Sequence, residues 1–257
     1  MIDSLSIYQK SSTRKQMLDT YRRRNYFYRT TLSRIRDIYL SQVNEVVKRL
    51  RGGALPITQI TPTINILQLL DLQTQIYTEI APDFAKLAKN SIDKVTKKND
   101  EIEQWIELAR LYAESEAANR VVNISNTIRN DITNIILLAL DEGFGSEETA
   151  IYLQKQTKGI SLQRARVIAR TEILTASNYG QMLGYRSTGI ELKKRWITAR
   201  DSRVRDEKFN HVSMNGKEVP LDEPFIVSGE RMMHPGDTNA SAGNIINCRC
   251  VIAAIPV

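Results

Sequence analysis

The chain has 257 residues, 42% of them hydrophobic, which suffices to bury a sizeable core in one or two domains. It carries a formal net charge of +7 and two cysteines. It contains no run of about 18 or more apolar residues, and the opening Met1-Ile-Asp-Ser-Leu lacks a charged-then-apolar leader. Neither a membrane span nor a signal peptide is therefore expected, and a protein soluble when made is. The cysteines, Cys248 and Cys250, are separated by one residue. On an extended strand their alpha-carbons would lie roughly 6.5 to 7 Å apart, at or past the limit for a relaxed disulfide, so a reducing compartment is expected.

The positive charge is concentrated at one end. Residues 1–51 hold 12 Lys or Arg against 4 Asp or Glu, and the rest of the chain is close to neutral. Arg22, Arg23, Arg24 and Arg29 are interleaved with Tyr21, Tyr26, Phe27 and Tyr28. Arginines and aromatics together can hold phosphates and stack on bases, so these four arginines are candidates for docking nucleic acid or a protein. The plainer reading is a wet helix face, because Leu32, Ile35, Tyr39, Val43, Val46 and Leu50 recur at three- and four-residue spacing.

Gly52-Gly53 and Pro56 predict the end of that helix. A second helix is expected after Pro62, carried by Ile64, Leu67, Leu70, Ile76, Ile80, Phe84, Leu87 and Ile92, with Pro82 as a kink or a boundary. Lys97-Lys98-Asn99-Asp100 reads as a polar hinge. Helical spacing returns in Ile102 to Leu111 and in Asn119 to Ala139. Gly143-Phe144-Gly145-Ser146 predicts a stop and a restart, with Ser146 as cap and an acidic first turn. Gly159-Ile160-Ser161 predicts another, and Leu162 to Tyr185 a further helix closed by Gly189.

Beyond Gly189 the pattern becomes one of strands and turns. Leu192 to Ile197 reads as a strand, Asn215-Gly216 as a hairpin turn, Lys217 to Leu221 and Phe225 to Val227 as extended, and Cys248 to Ile255 as a closing strand. The expected fold class is a mainly α N-terminal helical assembly followed by a small α+β domain. The expected division is a helical region over 1–118 and a second domain over 119–257, helical to 188 and built of strands and turns after it.

Both cysteines and both histidines lie in this last part. His211, His234, Cys248 and Cys250 together are a ligand set for structural zinc. A plain buried thiol pair is the competing reading. A third makes one cysteine a nucleophile activated by His211 or His234 and oriented by Asp201 or Asp237, although no oxyanion-loop signature accompanies it. Trp196 is expected to anchor the small core, Asp201 and Arg205 to bond each other or cap a turn, and Pro235-Gly236-Asp237 to supply turn chemistry.

An ordered series ties these residues together: Arg170-Thr171-Glu172, then Trp196, Thr198, Asp201 and Arg205, a histidine, Gly216, Pro224-Phe225, Pro235-Gly236-Asp237 and Asn247-Cys248-Arg249-Cys250. In that order, over about residues 120 to 252, it resembles the phage Mu protein F-like family of minor head proteins. The resemblance implies a structural virion protein of a tailed double-stranded DNA phage, held in the capsid interior near the portal vertex. It further implies that the protein is made in the host cytoplasm, aids head assembly or DNA packaging and ejection, and has no membrane anchor. Portal protein, a major capsid or scaffold protein, and packaged DNA are the implied partners. A cysteine hydrolase that processes head or cargo proteins is the alternative.

Overall fold

The computed structural model describes residues 4–53, 56–60, 62–92, 101–115, 118–199 and 201–257. The predicted hinge at Lys97–Asp100 lies outside them. Helices α1 (Ser4–Gly52), α2 (Ile66–Ile92), α3 (Ile102–Ser115), α4 (Ala118–Asp141) and α5 (Ser146–Arg186) precede strand β1 (Leu192–Ile197). Strands β2 (Glu218–Pro220), β3 (Phe225–Val227) and β4 (Glu230–Met232), the short helix α6 (Ala242–Ile245) and strand β5 (Val251–Pro256) complete the chain. The observed fold is thus the expected one: helices first, then a small α+β part.

The chain forms two compact units, and neither is a single run of sequence. One contains residues 1–29, 74–116 and 170–257, and the other residues 30–73 and 117–169. In the second unit the apolar spacing of α1 and α4 meets in one cluster containing Tyr39, Val43, Val46, Leu50, Ile128 and Ile132, with Leu153 from α5. Its polar trimmings are few. Asp131 accepts two hydrogen bonds from Arg164, at 2.9 and 2.8 Å, and one from the Tyr39 hydroxyl at 3.2 Å. Asn65 caps α2 by accepting from the Gln68 N–H at 3.1 Å.

Of three predicted helix ends, two are absent and one is present. Pro82 lies inside one continuous α2, where the single missing N–H bond is outweighed by the burial of Ala81, Phe84 and Ala85 on either side of it. Gly159 does not break α5. An interior glycine costs a helix only about 1 kcal/mol, and Leu153, Thr157, Ser161, Ala165 and Ala169 keep one buried face in register through it. The stop at Gly143 does occur, as a left-handed residue with φ +76°, closed by Phe144 N–H to Ala139 O at 2.9 Å. At the restart the bond seen is to Glu148, whose carboxylate accepts the Gly145 N–H at 2.8 Å.

In the first unit α2 and α5 cross where side chains are smallest. A Cβ at Gly180 would fall on the Ala81 carbonyl, and one at Gly184 on the Ala85 carbonyl. Three antiparallel strands run in the order β2-β1-β5, with Trp196 opposite Ile252 and Lys194 opposite Ala254 and Val219. Asn215-Gly216 is a tight turn leading into β2 rather than a two-residue hairpin loop: Asn215 has φ −60° and ψ 119°, and Gly216 has φ +86°, the geometry of a type II turn. The two-residue hairpin is Ser228-Gly229, with φ 51° and 85°, joining β3 to β4.

Candidate functional site

The second half of α5 is the mount. Along it Thr171, Thr175, Ser177, Asn178 and Gln181 are buried, and each of the first four reaches a loop or helix that would otherwise be loosely held. Thr171 Oγ1 accepts the Asn247 N–H at 3.0 Å, Thr175 Oγ1 donates to Gly236 O at 2.9 Å, and Asn178 Nδ2 donates to Pro235 O at 2.7 Å. Gly236, with φ +81°, is required here, because a Cβ would meet Leu174 and Thr175. Asp237 completes the turn by accepting the N–H groups of Met233 at 2.6 Å and Asn239 at 3.0 Å. From α1, the buried Arg24 donates to Ser177 Oγ at 2.6 Å, Asn178 Oδ1 at 2.8 Å and Cys250 O at 3.3 Å. Burial pushes its guanidinium down to about 10.

Against this mount the chain brings together His211, Cys248 and Cys250, whose ligand atoms lie within 4.8 Å of one another. His211 Nδ1 is 3.4 Å from Cys248 Sγ and 3.7 Å from Cys250 Sγ. Local structure explains the convergence. His211 precedes the short 3-10 turn Val212–Met214, and its N–H donates to Arg205 O at 2.8 Å. Asn247 takes a left-handed φ of 62°, turning the chain between α6 and β5 so that both thiols face the ring. Trp196 closes the other side, edge-on to the His211 and Phe225 rings at 5.6 and 5.3 Å. Both cysteines are free thiols and both are buried. Cys248 ionises first, since the Cys250 S–H donates to its sulfur and the His211 ring lies beside it. Cys250 moves the opposite way, raised by that same bond and by burial. One imidazole nitrogen and two sulfurs are a set that can hold a metal.

His234, the fourth ligand anticipated from sequence, is not part of this cluster. Its ring stands 6.3 Å from that of Tyr179, with Nδ1 3.2 Å from Pro235 O, because the Pro235 and Gly236 carbonyls are fastened to α5. Burial lowers its pKa. Of the two roles anticipated for Asp201, the turn cap is seen, its carboxylate accepting the Arg203 N–H at 3.1 Å, and the bond to Arg205 is not. Asp201 accepts from Arg203 and Arg249, both at 2.7 Å, while Arg205 donates to Ile246 O. Arg203 holds the Asp201 carboxyl below its usual range.

The other motif residues are also bonded to neighbours within the protein. Arg170 donates to Asn247 Oδ1, Thr198 to Asn215 Oδ1 at 3.2 Å, and the Tyr77 hydroxyl to Glu172 at 3.2 Å. Of the four candidate docking arginines, Arg24 is internal and Arg23 is paired with Asp83 over the Tyr26 ring, whereas Arg22 and Arg29 are exposed. Two residues were not anticipated: Asn244, whose Oδ1 is 3.0 Å from His211 Nε2, and Glu230, which accepts from Asn244 Nδ2 at 2.9 Å. Their only sequence signal is position, since they belong to α6 and β4, elements too short for periodicity to show. A cavity of about 240 Å³ lies nearby, lined by Tyr21, Arg24, Tyr28, Arg170, Cys248 and Arg249 among others.

Residues 127–253, which include His211, Cys248 and Cys250, match the family described as Phage Mu protein F like protein. The chain carries a phage Mu F-like domain. Over 136 residues it is 29% identical to a protein of Enterococcus faecalis (strain ATCC 700802 / V583) named NAD(+)--arginine ADP-ribosyltransferase EFV. Over 136 residues it is 27% identical to the uncharacterized protein YqbB of Bacillus subtilis (strain 168). Each match covers 52% of this chain but only 27% and 43% of the respective relatives. No solved structure matches the chain. Within these residues, Thr171, Thr175 and Asn178 fasten loops to α5, and Asp201 and Arg249 tie two motif segments to one another.

Proposed function

We propose that this chain is a structural minor head protein of a tailed double-stranded DNA phage, held inside the capsid near the portal, where it aids head assembly or the packaging and ejection of DNA. The Mu F-like domain supports the phage assignment. The observation that carries the structural reading is the use made of the motif. Arg170, Thr198, Asp201, Arg205 and Asn247 are engaged in bonds within residues 127–253, Glu172 accepts from Tyr77 of α2, and Cys248 and Cys250 are each only 2% exposed. Residues so engaged fix a shape for a partner to bind. A structural metal at the thiol–imidazole cluster, with zinc the ion that suits its ligands, fits a domain of short strands and long loops. Mass spectrometry of purified particles is expected to find the protein at low copy. Its consistent absence from both mature virions and precursor heads would overturn the reading.

A second reading has one observation in its favour. His211 stands between Cys248 and Asn244, with Nδ1 toward the sulfur and Nε2 toward the amide oxygen, the order of groups in thiol proteases that use Cys, His and Asn. Near-complete burial of the thiol weighs against it, because a nucleophile must meet its substrate. ADP-ribosyl transfer is set aside on coverage, since 27% of the Enterococcus relative is shared. Incubation with NAD and an arginine acceptor is expected to release no nicotinamide above the uncatalysed rate.

A further inference from the structure

We infer that His211, Cys248 and Cys250 form a three-ligand zinc site, with Asn244 and Glu230 as the outer groups that orient the imidazole. This goes beyond the head-protein reading and stands or falls separately from it.

The spacing is that of a coordination polyhedron. With zinc–sulfur bonds of about 2.3 Å and a zinc–nitrogen bond of about 2.05 Å at tetrahedral angles, each nitrogen–sulfur edge would be roughly 3.6 Å. The two observed edges, 3.4 and 3.7 Å, fall on either side of that value. An ion can therefore enter with little rearrangement. Both sulfurs come from one i, i+2 pair at the mouth of β5 and the nitrogen from a loop 37 residues earlier, so the ion would close a loop that few strand bonds secure.

The tautomer of the ring is fixed from outside. A carboxylate can only accept, and Glu230 accepts from Asn244 Nδ2 at 2.9 Å and from the Ser241 N–H at 2.7 Å. Asn244 Oδ1 is thereby turned toward His211 Nε2, 3.0 Å away, and that nitrogen must carry the hydrogen. Nδ1 is left with its lone pair aimed at two sulfurs. A cation at the centre uses that lone pair and both sulfurs together. A ring nitrogen donating to a fixed oxygen is the usual outer arrangement of a metal-bound histidine.

The Trp196 indole N–H is buried without a nitrogen or oxygen partner among the described residues. Two thiolates and one divalent ion sum to zero charge, so the ion adds no net charge to the buried cluster. The fourth position is left for water, which the cavity lined by Cys248 can supply.

The test uses the full chain purified without chelator. Metal analysis is expected to find about one zinc per chain. Protein stripped of metal and titrated with cobalt is expected to develop tetrahedral d–d bands with a sulfur-to-cobalt charge-transfer band. Cys248→Ser, Cys250→Ser and His211→Ala should each abolish or shift these bands. Asn244→Ala should weaken cobalt binding roughly 10- to 100-fold, as loss of an outer partner does, and His234→Ala should leave it unchanged. Because ligand variants can unfold, the wild-type titration decides. A folded wild-type chain that binds neither zinc nor cobalt overturns the proposal. Rapid alkylation of Cys248 in that metal-free protein would overturn it in favour of the nucleophile, and an effect of His234→Ala equal to that of His211→Ala would overturn the ligand set.

Discussion

The two compact units solve the problem of a protein interior in opposite ways. In the unit of residues 30–73 and 117–169 the buried polar side chains among the described residues are few and uncharged, and aliphatic residues at helical spacing do the packing. In the other unit Arg24, Lys89, Glu172, Lys194 and Asp237 are all buried, along with both histidines. Apolar packing tolerates exchange of one aliphatic side chain for another of like volume. A network of directed bonds does not, since a deleted member leaves its partners buried and unsatisfied. The difference teaches where specificity is stored: the helical unit can vary in sequence while keeping its shape, and the Mu F-like loops cannot.

The contrast is most easily broken at the α2–α5 crossing. Gly184→Val would drive a side chain into the Ala85 backbone, and a loss of at least about 3 kcal/mol is expected in urea unfolding. Arg24→Ala should follow closely. It removes the donor to Asn178 Oδ1 and one donor each to Ser177 Oγ and the Cys250 carbonyl, with an expected cost of roughly 2 to 3 kcal/mol. In the aliphatic unit Ile132→Leu should cost less than about 1.5 kcal/mol in the same assay. If it costs as much as Arg24→Ala, the distinction between the two interiors fails.

A different lever is Lys194, which has no hydrogen-bond partner among the described residues and lies 5.4 Å from the Phe225 ring. Burial, and then the Arg186 guanidinium, push it down from 10.5 to about 7. Between those values the unfolded chain holds a proton that the folded chain does not, so this residue makes stability rise with pH across that window. Lys194→Met should therefore raise the melting temperature at pH 7, and the gain should shrink as pH approaches 10. A gain independent of pH would mean that packing, not charge, is responsible.

How legible the sequence was follows the same divide. Residues such as Val43, Val46 and Ile132 announce their burial through spacing, so the apolar periodicity of α1 and α4 suffices to place both helices. Gly159 misled because its local signal is the same in a helix interior as at a helix end, and only the continuous face around it decides. Gly180 and Gly184 gave no hint of their crossing, since close approach is a property of two helices and not of one. The site was half visible. Both cysteines and both histidines stood out as residue types, yet nothing in sequence distinguishes His211 from His234. What separates them is which carbonyls Asn178 and Thr175 hold, a fact of tertiary structure.

Gln16 carries a consequence for synthesis. Its side chain accepts the Ala254 N–H at 3.1 Å, donates to Ala254 O at 3.3 Å, and accepts the Tyr185 hydroxyl at 3.0 Å, a contact across 238 residues of chain. Closing a loop of that length costs about 5 kcal/mol in chain entropy, and nothing repays it until β5 exists. The early part of α1 therefore leaves the ribosome with its buried partners still unmade. Its half of the molecule waits, exposed, for a strand translated more than two hundred residues later, and in that interval a chaperone or an assembly partner can find it before its own chain does.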